Sequence, residues 1–422
     1  MNKLVIIGFV FFSCVSHLSA QISTSSPYSR FGLGELQKNI LPEFSALGGA
    51  STALSSSKSI NFSNPASYTS FNPNSFLFST GGWHKVVKLE TIDAEQISNN
   101  TAFSHLVLGF RLSKRVGASF GLVPFSSTGY EMSSNLTNEN NSNVEAVANY
   151  FGNGGISKFY FGGAYQATES LSIGLNTSYL FGGLNRSKML IYNDESFLNS
   201  RSNSKINLKG YYYELGILFN KQINKNDKIL IGLTANNNSK IRAKKTELVE
   251  SFEFSGLFES PKDTFVNSVT WGNIILPRYT SFGLSYNQNE KWLYAFSYST
   301  QNWAEYTMFD EYDNLANSTR ISFGMQFTPE FNSITKYYKR MDFRAGVSYN
   351  NTPLQFENNQ LKDISISFGL GIPVKKSRTK YDFTCTLSKR GTTDKNLIEE
   401  KYIILGLSIA YDGVWFVKRK YD

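Results

Sequence analysis

Cysteine is nearly absent, with Cys14 and Cys385 the only two in 422 residues, too few for a disulfide framework or a thiolate metal site. Three histidines leave little for zinc ligation or acid–base chemistry. His84 and His105 fall where one strand is read as ending and the next as beginning, near one external rim, but two His alone make neither a metal site nor a nucleophile triad. No metal, cofactor or catalytic residue is therefore expected, and the chain does not read as an enzyme. Long apolar runs are missing too: a polytopic helical membrane protein needs several of about 18 residues, and only the N-terminus approaches one. Aliphatic residues are thin, whereas Phe (34) and Tyr (24) are plentiful. The formal charge of +9 comes without a block of like charge, so it reads as contact with anionic lipid headgroups rather than with nucleic acid.

The first twenty residues read as an export signal: a positive start at Met1-Asn2-Lys3, an apolar core from Leu4 to Phe12, and small residues at Leu18-Ser19-Ala20 before Gln21. From residue 74 onward, apolar and small or polar residues alternate, as strands with two different faces do. Ile364, Ile366, Phe368, Leu370 and Ile372 alternate with Ser365, Ser367, Gly369 and Gly371; Ile403, Leu405, Leu407, Ile409 and Tyr411 form a second such phase. Fourteen segments are read, near 74–84, 103–113, 115–130, 156–166, 170–188, 205–222, 227–243, 274–287, 291–303, 317–328, 340–350, 362–373, 380–390 and 401–411. The gaps between them are long at odd connections and mostly short at even ones, the asymmetry of outer-membrane barrels. The tenth, Pro329 to Lys339, breaks the pattern and suggests a misplaced boundary.

Charges inside the segments test this reading, because Arg or Lys facing the bilayer midplane costs about 2–4 kcal/mol. Arg111, Lys158, Glu214, Arg320, Arg344 and Asp382 all avoid the apolar phase. The fold expected is all-β, a 14-stranded antiparallel transmembrane β-barrel over residues 74–412 in the outer membrane of a diderm, Gram-negative bacterium. Residues 21–73 precede the first strand and carry Tyr28, Phe31, Leu33, Leu41, Phe44, Leu47 and Phe62. A solvated tail has no use for these, so the segment is read as a hatch folded into the lumen. Trp415 and Phe416 in the tail, 413–422, suit an interfacial aromatic girdle, and Lys418, Arg419 and Lys420 suit headgroups or a docking partner.

Within the hatch, Ala46-Leu47-Gly48-Gly49-Ala50 precedes Ile60-Asn61-Phe62-Ser63-Asn64-Pro65-Ala66, and the third segment contains Gly121-Leu122-Val123-Pro124-Phe125. Gly48 and Gly49 permit close backbone approach, Pro65 keeps Asn64 extended, and Pro124 removes a ladder donor, so the wall must bulge or open there. With the signal and the strand pattern, Gly48, Gly49, Asn64, Pro65 and Ala66 give a chain that resembles the FadL/TodX-type outer-membrane transport family. The stretch Ser26-Pro27-Tyr28-Ser29-Arg30-Phe31-Gly32-Leu33-Gly34 looks like the version found in Bacteroidota-type barrels. The resemblance implies passive uptake of small hydrophobic or amphipathic molecules, with Gly121 and Pro124 marking a lateral opening from lumen to bilayer; the other meaning of Pro124 is a closed bulge that only shapes the wall.

The external loops depart from the pattern of a hydrocarbon carrier. Ser133 to Val147 and Met189 to Ser204 are rich in Asn and Ser, although Phe252, Phe254, Leu257 and Phe258 in the seventh gap offer a greasy cap. The lumenal charges Arg111, Glu214, Arg320, Arg344 and Asp382 serve either to stitch the hatch to the wall or to bind an anionic head, stitching being the commoner use of buried charge. The expected partners are outer-membrane lipid and a hydrophobic small molecule. The alternative is a barrel that transports nothing and serves as a subunit of an outer-membrane assembly or secretion complex, with envelope proteins as partners.

Overall fold

The structure, a computed structural model, describes residues 24–414 apart from 38–39, 138–144, 195, 257, 334–335, 358 and 376. The export signal, Leu257 and the tail from Trp415 onward lie outside the described residues. The strands, in chain order, are β1 (Glu35–Leu36), β2 (Ser75–Glu90), β3 (Glu95–Arg111), β4 (Val116–Thr137), β5 (Glu145–Gln166), β6 (Leu171–Tyr192), β7 (Asn199–Gln222), β8 (Asp227–Ala235), β9 (Ser239–Ser255), β10 (Phe258–Leu276), β11 (Tyr279–Gln288), β12 (Trp292–Gln301), β13 (Thr307–Met308), β14 (Glu311–Tyr312), β15 (Ser318–Phe327), β16 (Asp342–Phe356), β17 (Asn359–Pro373), β18 (Thr379–Arg390) and β19 (Glu399–Val414). They form a closed 14-strand antiparallel barrel. β8 and β9 are two parts of one stave, as are β10 and β11, and β19 closes on β2 from Ser75↔Val414 to Glu90↔Glu399.

The alternation read from sequence sets the wall's two faces. Ile364, Ile366, Phe368, Ile403, Leu405 and Leu407 are exposed to the bilayer side, while Ser365, Ser367 and Ser408 are buried inside. The short turns at 167–170, 223–226 and 289–291 share one end with Ser75 and Val414, which makes that end periplasmic. An aromatic belt marks it, with Phe110 between Phe76 and Phe120 and Trp292 packed 4.3 Å from Phe327. The long tenth connection, 328–341, is a true periplasmic turn built around a 3-10 helix, Tyr337–Arg340, so no boundary error hides there.

The external loops are shorter than the gaps suggested, because the strands run on past the bilayer. β2 continues to Glu90 and β3 begins at Glu95, so His84 and His105 sit mid-strand rather than on a shared rim. His84 bonds Thr101, and His105, buried, bonds Ser79. The largest revision concerns the seventh gap, which is strand. Below residues 236–238 and Pro277-Arg278 the wall runs β7–β8–β11; above them it runs β7–β9–β10. Pro277, with no N–H to give a ladder, sits at the break. Phe252 and Phe254 pack edge-on near the hairpin tip and Phe258 is 79% exposed, so these residues do not cap the lumen. Among the described residues, the outer edge of β10 is met only near its end, where Ile274 and Ile275 pair with β13 and the Asn273 carbonyl accepts from the Phe309 N–H.

Ahead of β2, Leu41, Phe44, Leu47, Leu54, Ile60, Phe62, Tyr68 and Phe71 are buried in one cluster with Leu77, Val107, Val123 and Tyr160 of the wall.

Candidate functional site

Glycines let this inner segment approach the wall. Gly48 and Gly49 have φ of +68° and +86°, a region open to glycine, and a Cβ on Gly48 would lie 2.4 Å from the Val347 carbonyl oxygen of β16. The Gly48 N–H donates to Ser367 Oγ at 3.0 Å and its carbonyl accepts from Arg320 at 2.8 Å. Asn64 caps the 3-10 helix Pro65–Ser70 by accepting from the Ala66 N–H at 3.1 Å, while its amide donates to Thr52 and to the Ile217 carbonyl of β7. Gly216 of β7 leaves room for that Asn: a Cβ there would stand 2.2 Å from Asn64 Oδ1.

The lumenal charges hold this seat in separate places. Arg344 donates to Asp382 at 2.6 Å and to Asp342 at 3.0 Å, with Glu43 of helix α1 (Pro42–Ser45) 4.0 Å away and Lys380 3.6 Å from Glu43. Glu214 pairs with Lys158 at 3.2 Å. Arg320 stands apart on Gly48, and Arg111 sits at the periplasmic end, donating to the carbonyls of Phe71, Ser113 and Lys114. Thus only Arg344 and Asp382 of the five come together directly.

Burial, reinforced by Asp382, lifts the Glu43 carboxyl to about 7 against the pull of Lys380 and Arg344, with Asp342 adding to the rise. A carboxyl whose folded value lies above its unfolded one destabilises the seat once the unfolded chain ionises. The α1 seat should hold best in mild acid and loosen as pH rises from about 4.5 through about 7. Replacing Glu43 with Gln is expected to remove this dependence, read as the proteolysis rate of residues 41–54 across that range; an unchanged pH profile would show that Glu43 does not set it.

The β3–β4 ladder ends beside Pro124. β3 and β4 are paired only from Leu106↔Leu122 to Arg111↔Gly117. Beyond Leu122 the two strands part, β3 staying with β2 and β4 with β5, and the β4–β5 register shifts between Pro124 and Ser126. Gly121, opposite Val107, is the last residue but one of the paired stretch, where a Cβ would lie 2.5 Å from the Leu106 carbonyl oxygen.

This gap is filled by the chain itself. Ser25 accepts from Ser98 Oγ (2.8 Å) and from Asn100 Nδ2 (3.1 Å) on β3; Ser29 accepts from the Gly129 N–H of β4 at 3.0 Å. β1 then takes the ladder place that β3 vacates, pairing Glu35↔Ser127 and Leu36↔Ser126, and Gln37 N–H donates to the Phe125 carbonyl. A second charge cluster pins this strap. Lys85 reaches Glu35 at 2.9 Å, Arg390 reaches Glu35 at 3.2 Å and also pairs with Glu400, and Ser26 Oγ donates to Glu400 at 2.6 Å. Sequence reasoning missed this cluster, although Lys85, Arg390 and Glu400 lie on the wall and Glu35 beside the Ser26–Gly34 stretch that carried the family resemblance.

Between strap and wall lies a cavity of about 420 Å³ whose lining includes Phe31, Leu33, Pro124, Phe125, Tyr212 and Trp303. The external half of the lumen holds a larger apolar cluster, with Leu180, Leu184, Ile206, Ile241 and Ile274 around them. The Asn-rich loops gave no sign of it, because its wall residues belong to the inward phase of segments already read as strands, 170–188, 205–222, 227–243 and 274–287, and not to the loops.

The whole chain, residues 1–422, matches the family model described as BamG. The chain belongs to the BamG family. No curated protein matches it. Among solved structures, this BamG-family barrel is similar to the toluene transporter TodX of P. putida, at 15% identity and a TM-score of 0.59 over 89% of this chain and 98% of that one. It is also similar to the toluene transporter TbuX of Ralstonia pickettii (13% identity, TM-score 0.59, 88% and 98% covered) and to a Pseudomonas aeruginosa FadL homologue (12%, 0.56, 88% and 98%). At such identities the likeness is one of fold. The chain is an outer-membrane β-barrel with the fold of TodX and TbuX, which are toluene transporters.

Proposed function

We propose that this barrel is kept shut by its own N-terminal strap and works as a subunit of an outer-membrane assembly complex, with residues 21–73 as a fixed hatch. The observation that carries the reading is the lock across the β3–β4 gap. A passive pore with no energy source opens only as far as thermal motion allows, and breaking one buried charge pair costs about 3–5 kcal/mol. That leaves on the order of one molecule in 10² to 10⁴ open. Full-length membership of the BamG family supports this reading. So does the β9–β10 hairpin, which presents a free strand edge with Phe258, Phe265 and Val269 exposed, the kind of surface that marks an interaction site. The test is purification from the native membrane at native level, with mass spectrometry of co-eluting proteins and small molecules. Stoichiometric envelope proteins, lost when residues 246–268 are replaced by a short turn, support the proposal; a lone barrel carrying a lipid-like ligand overturns it.

A second reading, passage of small hydrophobic molecules with lateral exit at the third-strand kink, is favoured by the apolar-roofed cavity that reaches Pro124 and by the names of the channels that share the fold. On that reading, Pro124→Val restores a ladder donor, narrows the gap and lowers uptake of an apolar tracer several-fold in vesicles. Uptake equal to wild type would remove the exit from consideration.

A further inference from the structure

The outward face of β7, β9 and β10 carries a cationic patch that the sealed-barrel reading does not use. Lys209 stands directly opposite Arg242, Asn207 opposite Lys244, and Lys205 opposite Thr246. Across the other edge of β9, Trp271 is opposite Lys244 and Asn273 opposite Arg242. Residues directly opposite share a face, and alternation puts Lys240, Arg242 and Lys244 on one side. The pattern agrees: Lys205, Lys209, Lys240 and Arg242 are exposed while Ile241 and Ala243 are buried.

Among the described residues, no carboxylate pairs with these charges. The ion pairs nearby are Lys158–Glu214, Arg201–Glu250 and Lys245–Glu247, and none of the five cations takes part in one among the described residues. Like charges directly opposed in a ladder are unfavourable, so Lys209 and Arg242 call for an anion between them.

Depth identifies the anion. Two residues below Lys209, Tyr211 begins the exposed row Tyr211, Tyr213, Leu215, Ile217 and Phe219, continued by Ile231, Leu233, Phe282 and Leu284 on the neighbouring strands. The cations therefore start where the apolar band stops, on the end opposite the short turns. Trp271, 68% exposed with Lys244 5.6 Å from its ring centroid, stands at the same level, where an amphipathic ring suits the interface. Arg offers a planar fork to phosphate oxygens, and the lysines add point charges around it.

From this we infer that Lys205, Lys209, Lys240, Arg242 and Lys244 bind the phosphorylated headgroup of an outer-leaflet lipid. The test is native mass spectrometry of the full chain in a neutral detergent, with phosphatidic acid and phosphatidylcholine of equal chain length as probes. Wild type should retain phosphatidic acid at least tenfold more than phosphatidylcholine. Lys209→Gln combined with Arg242→Gln and Lys244→Gln should lose that preference while keeping the heat-modifiable migration of a folded barrel; should the triple variant not fold, Arg242→Gln alone should lower it several-fold. Lys362→Gln, an exposed cation on β17, should bind as wild type. Equal retention in the Arg242 and triple variants, an equal loss in Lys362→Gln, or displacement of the lipid by an equal concentration of inorganic phosphate would each overturn the assignment.

Discussion

Replacing Arg390 with Met is expected to unlock the strap and to cost about 3–5 kcal/mol, the usual penalty for removing one partner of a buried pair. Glu400, fully buried, and Glu35 would lose their shared cation, and Glu35 would keep Lys85 and the Thr24 hydroxyl. Proteolysis of residues 24–37 should accelerate by orders of magnitude while heat-modifiable migration still reports a closed wall. Uptake of an apolar tracer measured on the same sample separates the two functional readings: a rise means that the strap gates a conducting path, and no rise means that the barrel does not conduct. Acid should mimic the substitution in the wild type. Burial pushes the Glu35 carboxyl up, but Lys85 and Arg390, with a hydrogen bond from Thr24, hold it well below the usual carboxylate range. A depressed carboxyl contributes stability above its unfolded value of 4.5 and loses it as pH falls, so the strap should loosen in strong acid, the opposite sense to the seat around Glu43.

Replacing Arg344 with Met should cost a similar 3–5 kcal/mol or so, at the other end of the inner segment. Asp382 and Asp342 would face Glu43 with Lys380 as the only remaining cation of the cluster. Helix α1 and the Gly48-Gly49 turn should come off the wall while the strap at β4 stays, seen as deuterium uptake confined to residues 41–54. Removing Asp382 as well, as Arg344→Met with Asp382→Leu, should restore part of the stability, because deleting both members of a buried pair is often near neutral. A double variant as unstable as the single one would mean that packing, not charge, anchors α1.

What was legible in the sequence is what a bilayer enforces. Outward positions such as Ile364, Ile366 and Phe368 must be apolar and inward Arg344 and Asp382 must avoid them, so period-two alternation located all fourteen staves. Pro124 was legible because it is the residue that cannot donate to a ladder. Beyond the bilayer that pressure ends: β10 as far as Trp271 is wet on both faces, and Asn267, Ser268 and Thr270 beside Val266 and Val269 carry no pattern that separates strand from loop. The strap was illegible for a different reason. Glu35 is 50 residues from Lys85, and Ser26 is 374 residues from Glu400, and nothing local to any of them announces the others.

That last separation orders events in time. Ser26 and Glu35 meet Glu400 and Arg390 only after the final two strands exist, and β19 must also zip to β2 before Lys85 and Arg390 face the same carboxylate. Closing loops of this length comes late, since long-range contacts are rewarded only after the entropy of bringing the ends together has been met. Docking of the strap is thus a record that β18 and β19 have been made and the sheet joined, and a barrel without them carries Ser26 and Glu35 undocked.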